Sequence, residues 1–414
     1  MAAKSDKPRR IKARNPANTY ATSEQARHSA RAEARRVLVC GVAALVLVLL
    51  AWILPTYMFE HSMMRFTPAV FFDVMAYNLD GLASVLTGGG GWFENRFMAV
   101  VVCAISGAAL GLTGSTYQGA FNNPLAAPKT LGVMAGGALG ALIFVLLLQG
   151  VGPQMPGSGT SITKGQADAW IASLDPLEWF WVNYGECLCS MAGCFLVVGI
   201  VIALTSLIGR GRMSNIIVII FGQVFAGTIT AIISFCRYYF TRDGGIDMVD
   251  QLREIENYTM IRTYYFHDLL VIVAPIVVCM VVVLLLRNRL TLLSFGEHEA
   301  ASMGVNVNRT RYIMIAICTL MTAIAISFAG HVAFLGFISA HLSRRIVGPD
   351  FKYLLPASVF VGGGLLTLIQ YLSQSGLPYT SPYAAGVICS IVGPFLFLLV
   401  VLKQRGKGSL GEWK

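Results

Sequence analysis

The sequence is short of charge. Of its 414 residues, 13% are Asp, Glu, Lys or Arg and 56% are hydrophobic, where a soluble globular domain carries about 25% charged residues. That excludes an ordinary soluble enzyme and fits a multi-span membrane protein. Ionisable groups are scarcest where an ion-coupled carrier needs them. The middles of the apolar runs hold essentially none, and the polar exceptions are Gln223, Gln370 and His331. Intramembrane ionisable residues mark ion pathways and proton relays, so their absence argues against a secondary carrier. His331 reads better as a hydrogen-bonded turn residue than as a ligand. No GxxxxGK[ST] phosphate loop occurs, so any ATP must be bound by another chain. His298-Glu299 opens an HExxH pattern, but Ser302 stands where the second imidazole of a zinc protease belongs. No paired acids point to a prenyl- or phosphotransferase, and no clustered constellation supports an intramembrane enzyme. The nine cysteines fall within or beside apolar runs, as small buried hydrophobes do. Cys187, Cys189 and Cys194 form the one cluster, without a nearby His or a usual zinc spacing. No catalytic, cofactor-binding or metal residue is expected in this chain.

What is present is a series of apolar runs. A span needs about 20 apolar residues, and ten segments qualify: 37–58, 97–116, 130–149, 187–208, 213–236, 268–286, 311–329, 332–347, 354–373 and 384–402. The eighth is the shortest and most polar. Residues 1–36 carry ten Lys/Arg against Asp6, Glu24 and Glu33. With no apolar periodicity, this segment reads as a disordered tail. Beside a first span, a basic tail is better explained by the cytosolic side and anionic lipid than by nucleic acid. Placing the N-terminus inside makes the short inner loops basic: Lys129; Arg210 and Arg212; Arg287, Arg289 and Arg309; Lys352; and the tail 403–414. The outer loops mix acids with bases, and loop 237–267 is charged enough to meet a soluble partner. The organisation is thus a tail 1–36, a membrane domain 37–402 and a short cytosolic tail, both termini inside.

Two kinds of stretch stand out. Segments 106–119 and 132–141 are dense in Gly, Ala, Ser and Thr, which let helix backbones approach closely. Between them, Asn122-Asn123-Pro124 and Pro128 impose a structured turn. The other is Leu292–Gly348. Its first part, Ser294–Asn308, lies in the longest polar interruption between the apolar runs that follow residue 268. Its composition suits a short exposed helix read by a partner, and a plain solvated loop is the competing reading.

Three blocks carry a family resemblance. The first runs from Gly107 through Gln118-Gly119, Phe121 and Asn123-Pro124-Leu125-Ala126 to Pro128, Gly132 and Gly136. The second is Leu293-Ser294, Gly296-Glu297, Ala300 and Gly304-Val305-Asn306-Val307. The third is Ala329-Gly330, Phe334-Leu335-Gly336-Phe337-Ile338, His341, Arg344, Gly348, Asp350 and Leu354-Leu355-Pro356. Together they resemble the FecCD-like permeases of bacterial type II ABC importers for iron-siderophores, haem and vitamin B12. The resemblance implies an all-α polytopic protein of about ten transmembrane helices in the cytoplasmic membrane, paired with a second permease subunit as a homodimer. Two ATPase subunits carry ATP and Mg on the inner face, and an extracytoplasmic substrate-binding protein docks outside. It assigns ATPase coupling to the 294–308 segment, at Ser294, Gly296, Glu297, Glu299, Ala300, Gly304 and Asn306. The fifth span lines the pathway, at Gly222, Gln223, Ala226, Gly227 and Thr228. Gly107, Gln118, Asn123, Pro124, Pro128, Gly132, Gly336, His341 and Arg344 are structural motif positions. Arg96 keeps the first residue of the family's Arg-Leu-Pro-Arg stretch and is assigned to binding-protein docking, although Phe97-Met98-Ala99 replaces the rest. An iron-siderophore is the expected cargo.

Overall fold

The computed structural model describes residues 30–50, 92–151, 173–208, 215–242, 266–330, 332–375, 388–395 and 398. Among them all regular structure is helical. The elements are α1 (30–50), α2 (Trp92–Ala120), a 3-10 turn (Pro128–Leu131), α3 (Val133–Val151), α4 (Pro176–Ile208), α5 (Asn215–Arg242) and α6 (Phe266–Leu285). Then come α7 (Arg287–Leu293), α8 (Glu297–Ser302), α9 (Val307–Ala329), α10 (Leu335–Val347), α11 (Phe351–Ser375) and α12 (388–395). Each of the ten expected spans holds helix. Among the described residues, five stretches are long and apolar enough to cross a membrane: Val100–Ala120, Tyr184–Ile208, Ile217–Cys236, Val307–Ala329 and Phe351–Leu372. Leu270–Leu285 with Arg287–Leu293, bent by 51°, makes a sixth if counted as one span.

Three expected boundaries shift. α1 is already helical at residue 30, ahead of the apolar run, because Ala30–Arg36 is rich in Ala and Arg, which are good helix formers. The third span starts later than 130, since Pro128–Leu131 is a 3-10 turn closed by Gly132 at φ 78. The eighth is no full span: α10 has 13 residues, about 20 Å at 1.5 Å per residue, against about 30 Å of hydrocarbon. Phe334 takes up φ 64, so the expected span 332–347 becomes helical only from Leu335.

α2 is the hub. It packs most extensively on α11 and also on α9, α10 and α6, while α3 and α4 form a second close pair. Small residues set these distances. A Cβ on Gly107 would strike the Gly362 carbonyl, one on Gly111 the Ser358 carbonyl, and one on Gly114 the Gly336 carbonyl. Burial follows this order. In the apolar windows, 78% of α2 and 72% of α9 are buried, against 22% of α5.

Candidate coupling and translocation site

The 294–308 segment folds as one turn-and-a-half of helix between two glycines. Ser294 caps the C-terminus of α7, its Oγ donating to the Thr291 carbonyl at 2.7 Å. Gly296, at φ 119, then precedes α8. Glu297 and Glu299 occupy its first turn, where carboxylates complement the positive end of the helix dipole. Ala300 is fully buried. At the far end the Gly304 N–H donates to Ala301 O at 3.0 Å and the Val305 N–H to Ala300 O at 3.0 Å. That is a Schellman cap, with Gly304 supplying the left-handed φ of 83. Asn306 caps α9, its Oδ1 accepting from the Arg309 N–H at 3.0 Å.

Two features of this segment have no counterpart in the sequence pattern. Phe295 and Met303 are 64% and 48% exposed, so large apolar side chains flank α8 on an otherwise polar loop. Arg311 stands in the sequence as one more base at the inner end of a span. In the fold it is buried and works as a strut: Nη1 lies 2.7 Å from Glu297 Oε1, and Nε donates to the Ala120 carbonyl at 2.8 Å. Ala120 is the last residue of α2, so one guanidinium joins α8 and α9 to the C-terminal end of the hub helix. The available signal was an Arg sitting at the start of an otherwise apolar stretch.

The family-motif residues divide by role. Gly107 and Gly336 allow backbone contact. Gln118 and His341 come together, with Gln118 Nε2 3.4 Å from His341 Nδ1, which itself lies 3.0 Å from the Phe337 carbonyl. Arg344 sits in the last turn of α10 with Arg345. Asn123 shapes the turn after α2, its Oδ1 accepting from the Leu125 N–H at 2.9 Å. Pro124 is half-buried, and Pro128 is buried at the head of the 3-10 turn.

That turn is tucked in among the helices rather than lying beyond them. A Cβ on Gly222 would strike the Thr130 carbonyl and the Leu131 backbone, although Gly222 lies about 10 Å along α5 at 1.5 Å per residue. Lys129 Nζ lies 4.2 Å from the centroid of the Phe334 ring, a cation–π distance. Gly222, expected on the pathway wall, is buried against that turn. Gln223, Gly227 and Thr228 are exposed, Ala226 is partly exposed, and nothing lies within 4 Å of a Cβ placed on Gly227. Thr228 and Thr230 turn their hydroxyls back to the Val224 and Ala226 carbonyls at 3.0 and 2.8 Å.

Other expected positions are placed as follows. Arg96 lies on α2, but its side chain is outside the described residues, as are His331, the Arg237 and Arg242 side chains with the loop beyond them, and the tails 1–29 and 399–414. Cys194 Sγ donates to the Val133 carbonyl at 3.2 Å and Cys187 contacts Met191. Among the described residues no three His, Cys, Asp or Glu side chains converge on a metal-sized space.

Known proteins resemble this chain in sequence and in fold. The chain is 28% identical over 311 residues to the cobalamin import system permease protein BtuC of Halobacterium salinarum, covering 73% of this chain and 72% of that one. It is 27% identical over 315 residues to the ferric enterobactin transport system permease protein FepD of Escherichia coli, covering 76% and 82%. A solved inward-facing metal-chelate type ABC transporter superposes with a TM-score of 0.64 at 20% identity, over 90% of this chain and 99% of that one, which shows a shared fold. The sequence model of the FecCD transport family matches residues 66–403. That range takes in the α2 hub, the α5 face and the whole strut-braced segment, and the chain belongs to the FecCD transport family of ABC importer permeases.

Proposed function

We propose that this permease moves an iron-siderophore complex inward across the cytoplasmic membrane as a homodimer, driven by two ATPase subunits that carry ATP and Mg and seat on the 294–308 segment. The observation that carries the reading is the contrast in burial: α5 leaves Gln223, Gly227 and Thr228 open while the hub around α2 is sealed. A second copy facing α5 across a two-fold axis would turn that open face into a pathway wall. Exposed small and hydroxyl-bearing residues suit passage of a bulky chelate. The exposed Phe295 and Met303 beside the braced α8 suit a cleft in an ATPase. A soluble binding protein delivers cargo on the outer side, and both termini face the cytosol. The relative from Escherichia coli named for ferric enterobactin supports an iron-chelate cargo, and the one named for cobalamin supports the second reading, the same machinery importing vitamin B12 or haem.

The test is reconstitution in proteoliposomes with the cognate ATPase and binding protein. Radioiron-siderophore, haem and cobalamin are offered in parallel. ATP-dependent uptake of the siderophore alone is the expected result. Uptake of cobalamin or haem in its place would reassign the cargo, and uptake driven by an ion gradient without the ATPase would overturn the ABC reading.

A further inference from the structure

The first turns of α1 and the last turn of α10 enclose a groove of about 470 Å³, lined by Arg31, Ala32, Arg35, Arg36, Val39 and Ile346. Three of the six lining residues are arginines, and none is a carboxylate. Arg31 and Arg35 are four apart and share a helix face. Arg36 is held in place, its Nη1 donating to the Ile346 carbonyl at 3.2 Å. That carbonyl belongs to the final turn of α10, where the helix dipole favours a cation.

The groove does not end in water on its second side. Val39 opens a stripe continued by Val42, Val46 and Leu49, which are 60%, 54%, 47% and 42% exposed. Their spacings of three and four put them on one face of α1. The opposite face is the packing face. Cys40 is buried, a Cβ on Gly41 would touch the Phe360 ring of α11, and Ala44 lies against Gly364. A cationic groove thus leads directly into an outward apolar stripe, at the boundary where a basic segment meets a membrane helix.

We propose that this groove binds an anionic phospholipid, with its phosphodiester between the guanidiniums of Arg31 and Arg35 and an acyl chain along Val39, Val42, Val46 and Leu49. Guanidinium forks match phosphate oxygens in pairs, and the stripe supplies what a free anion or an acidic protein surface would leave unused. The proposal rests on α1 meeting the membrane from residue 37 onward, and not on the identity of the cargo.

The experiment uses the full chain purified in neutral detergent and in nanodiscs with both leaflets alike. Dioleoyl phosphatidylglycerol is titrated against dioleoyl phosphatidylcholine, with retained lipid read by native mass spectrometry and stability by thermal unfolding. Phosphatidylglycerol should be retained and should raise the melting temperature, and phosphatidylcholine should do neither. The double substitution R31Q/R35Q should weaken phosphatidylglycerol retention about tenfold to thirtyfold, the worth of two basic residues at an anionic membrane. Both side chains are exposed, so the lipid-free melting temperature should stay unchanged. Val39→Asp should weaken retention as well, because the acyl stripe is then interrupted. Equal retention of both lipids overturns the proposal. So does reproduction of the effect by inorganic phosphate alone, or a double variant that keeps its lipid but loses assembly with the ATPase. Labelling of Ala32→Cys from either side of sealed vesicles reports the orientation of α1 separately, so a failed topology is distinguishable from a failed lipid site.

Discussion

Replacing Glu297 by Gln should uncouple ATP hydrolysis from transport without unfolding the protein. The carboxylate is 54% exposed while its partner Arg311 is 2% exposed. A hydrogen bond to a charged group contributes about 1.5–3 kcal/mol when sheltered, and a fully exposed ion pair about 0.2–1 kcal/mol. With one partner buried and the other half in water, the bridge contributes on the order of 1–2 kcal/mol. That is a factor of roughly 5–30 in the equilibrium between α8 docked on the hub and α8 released. Arg311 keeps its bond to the Ala120 carbonyl, so the fold loses only the α8 end of the strut. In proteoliposomes containing the ATPase and binding protein, cargo moved per ATP hydrolysed should fall about 5- to 30-fold in E297Q, with membrane abundance and basal ATPase rate unchanged. E297K should fall further, since it sets a second cation against Arg311. Adding E297Q to R311M should cost little beyond R311M alone, because both remove one connection. Wild-type stoichiometry in E297Q, or losses that simply add in the double variant, would refute the strut.

Two further substitutions separate packing from passage. Gly222→Ala should lower the melting temperature in detergent, at an overpacking cost of about 1–3 kcal/mol, because its Cβ meets the Thr130–Leu131 backbone. Gly227→Trp should melt like the parent and yet slow uptake, since its surroundings are open; unimpaired uptake would remove α5 from the pathway wall. At Gly304 there is space for a side chain but φ is 83. Uptake per ATP should therefore rank Gly above Asn above Ala, with Ala costing about 1–2 kcal/mol for the left-handed backbone.

Much of this fold is legible from local pattern. Gly107, Gly111 and Gly114 recur at helical spacing among Ala, Ser and Thr, and that alone announces close helix contact. Their partners Gly362, Ser358 and Gly336 are more than 200 residues away, and no local rule connects them. The α8 segment is legible for the same reason, since two glycines bracket a short helix-forming run. The surroundings of Gly222 are not legible, because a small residue on an open helix face and a small residue under a packed turn look alike in sequence; what buries it is a carbonyl brought in from residue 130. Residues 332–347 mislead because apolar content does not reveal that Phe334 sits at φ 64. Arg311 is the strongest omission. Positive charge at a span end is normally explained by the surface, and its two partners lie on different helices.

The reciprocal glycine contacts have an evolutionary meaning. Gly107 and Gly362 each lie against the other's carbonyl, and so do Gly136 and Gly193. In such a pair neither position accepts a side chain first, so a route to replacing both passes through an intermediate that cannot pack. The four positions form two locked pairs, closed to neutral drift. Gly199 and Gly227, with nothing near a Cβ, are open to it. Divergence among relatives is therefore expected to accumulate on the open helix faces, where cargo can differ, while the α2–α11 and α3–α4 seams stay frozen.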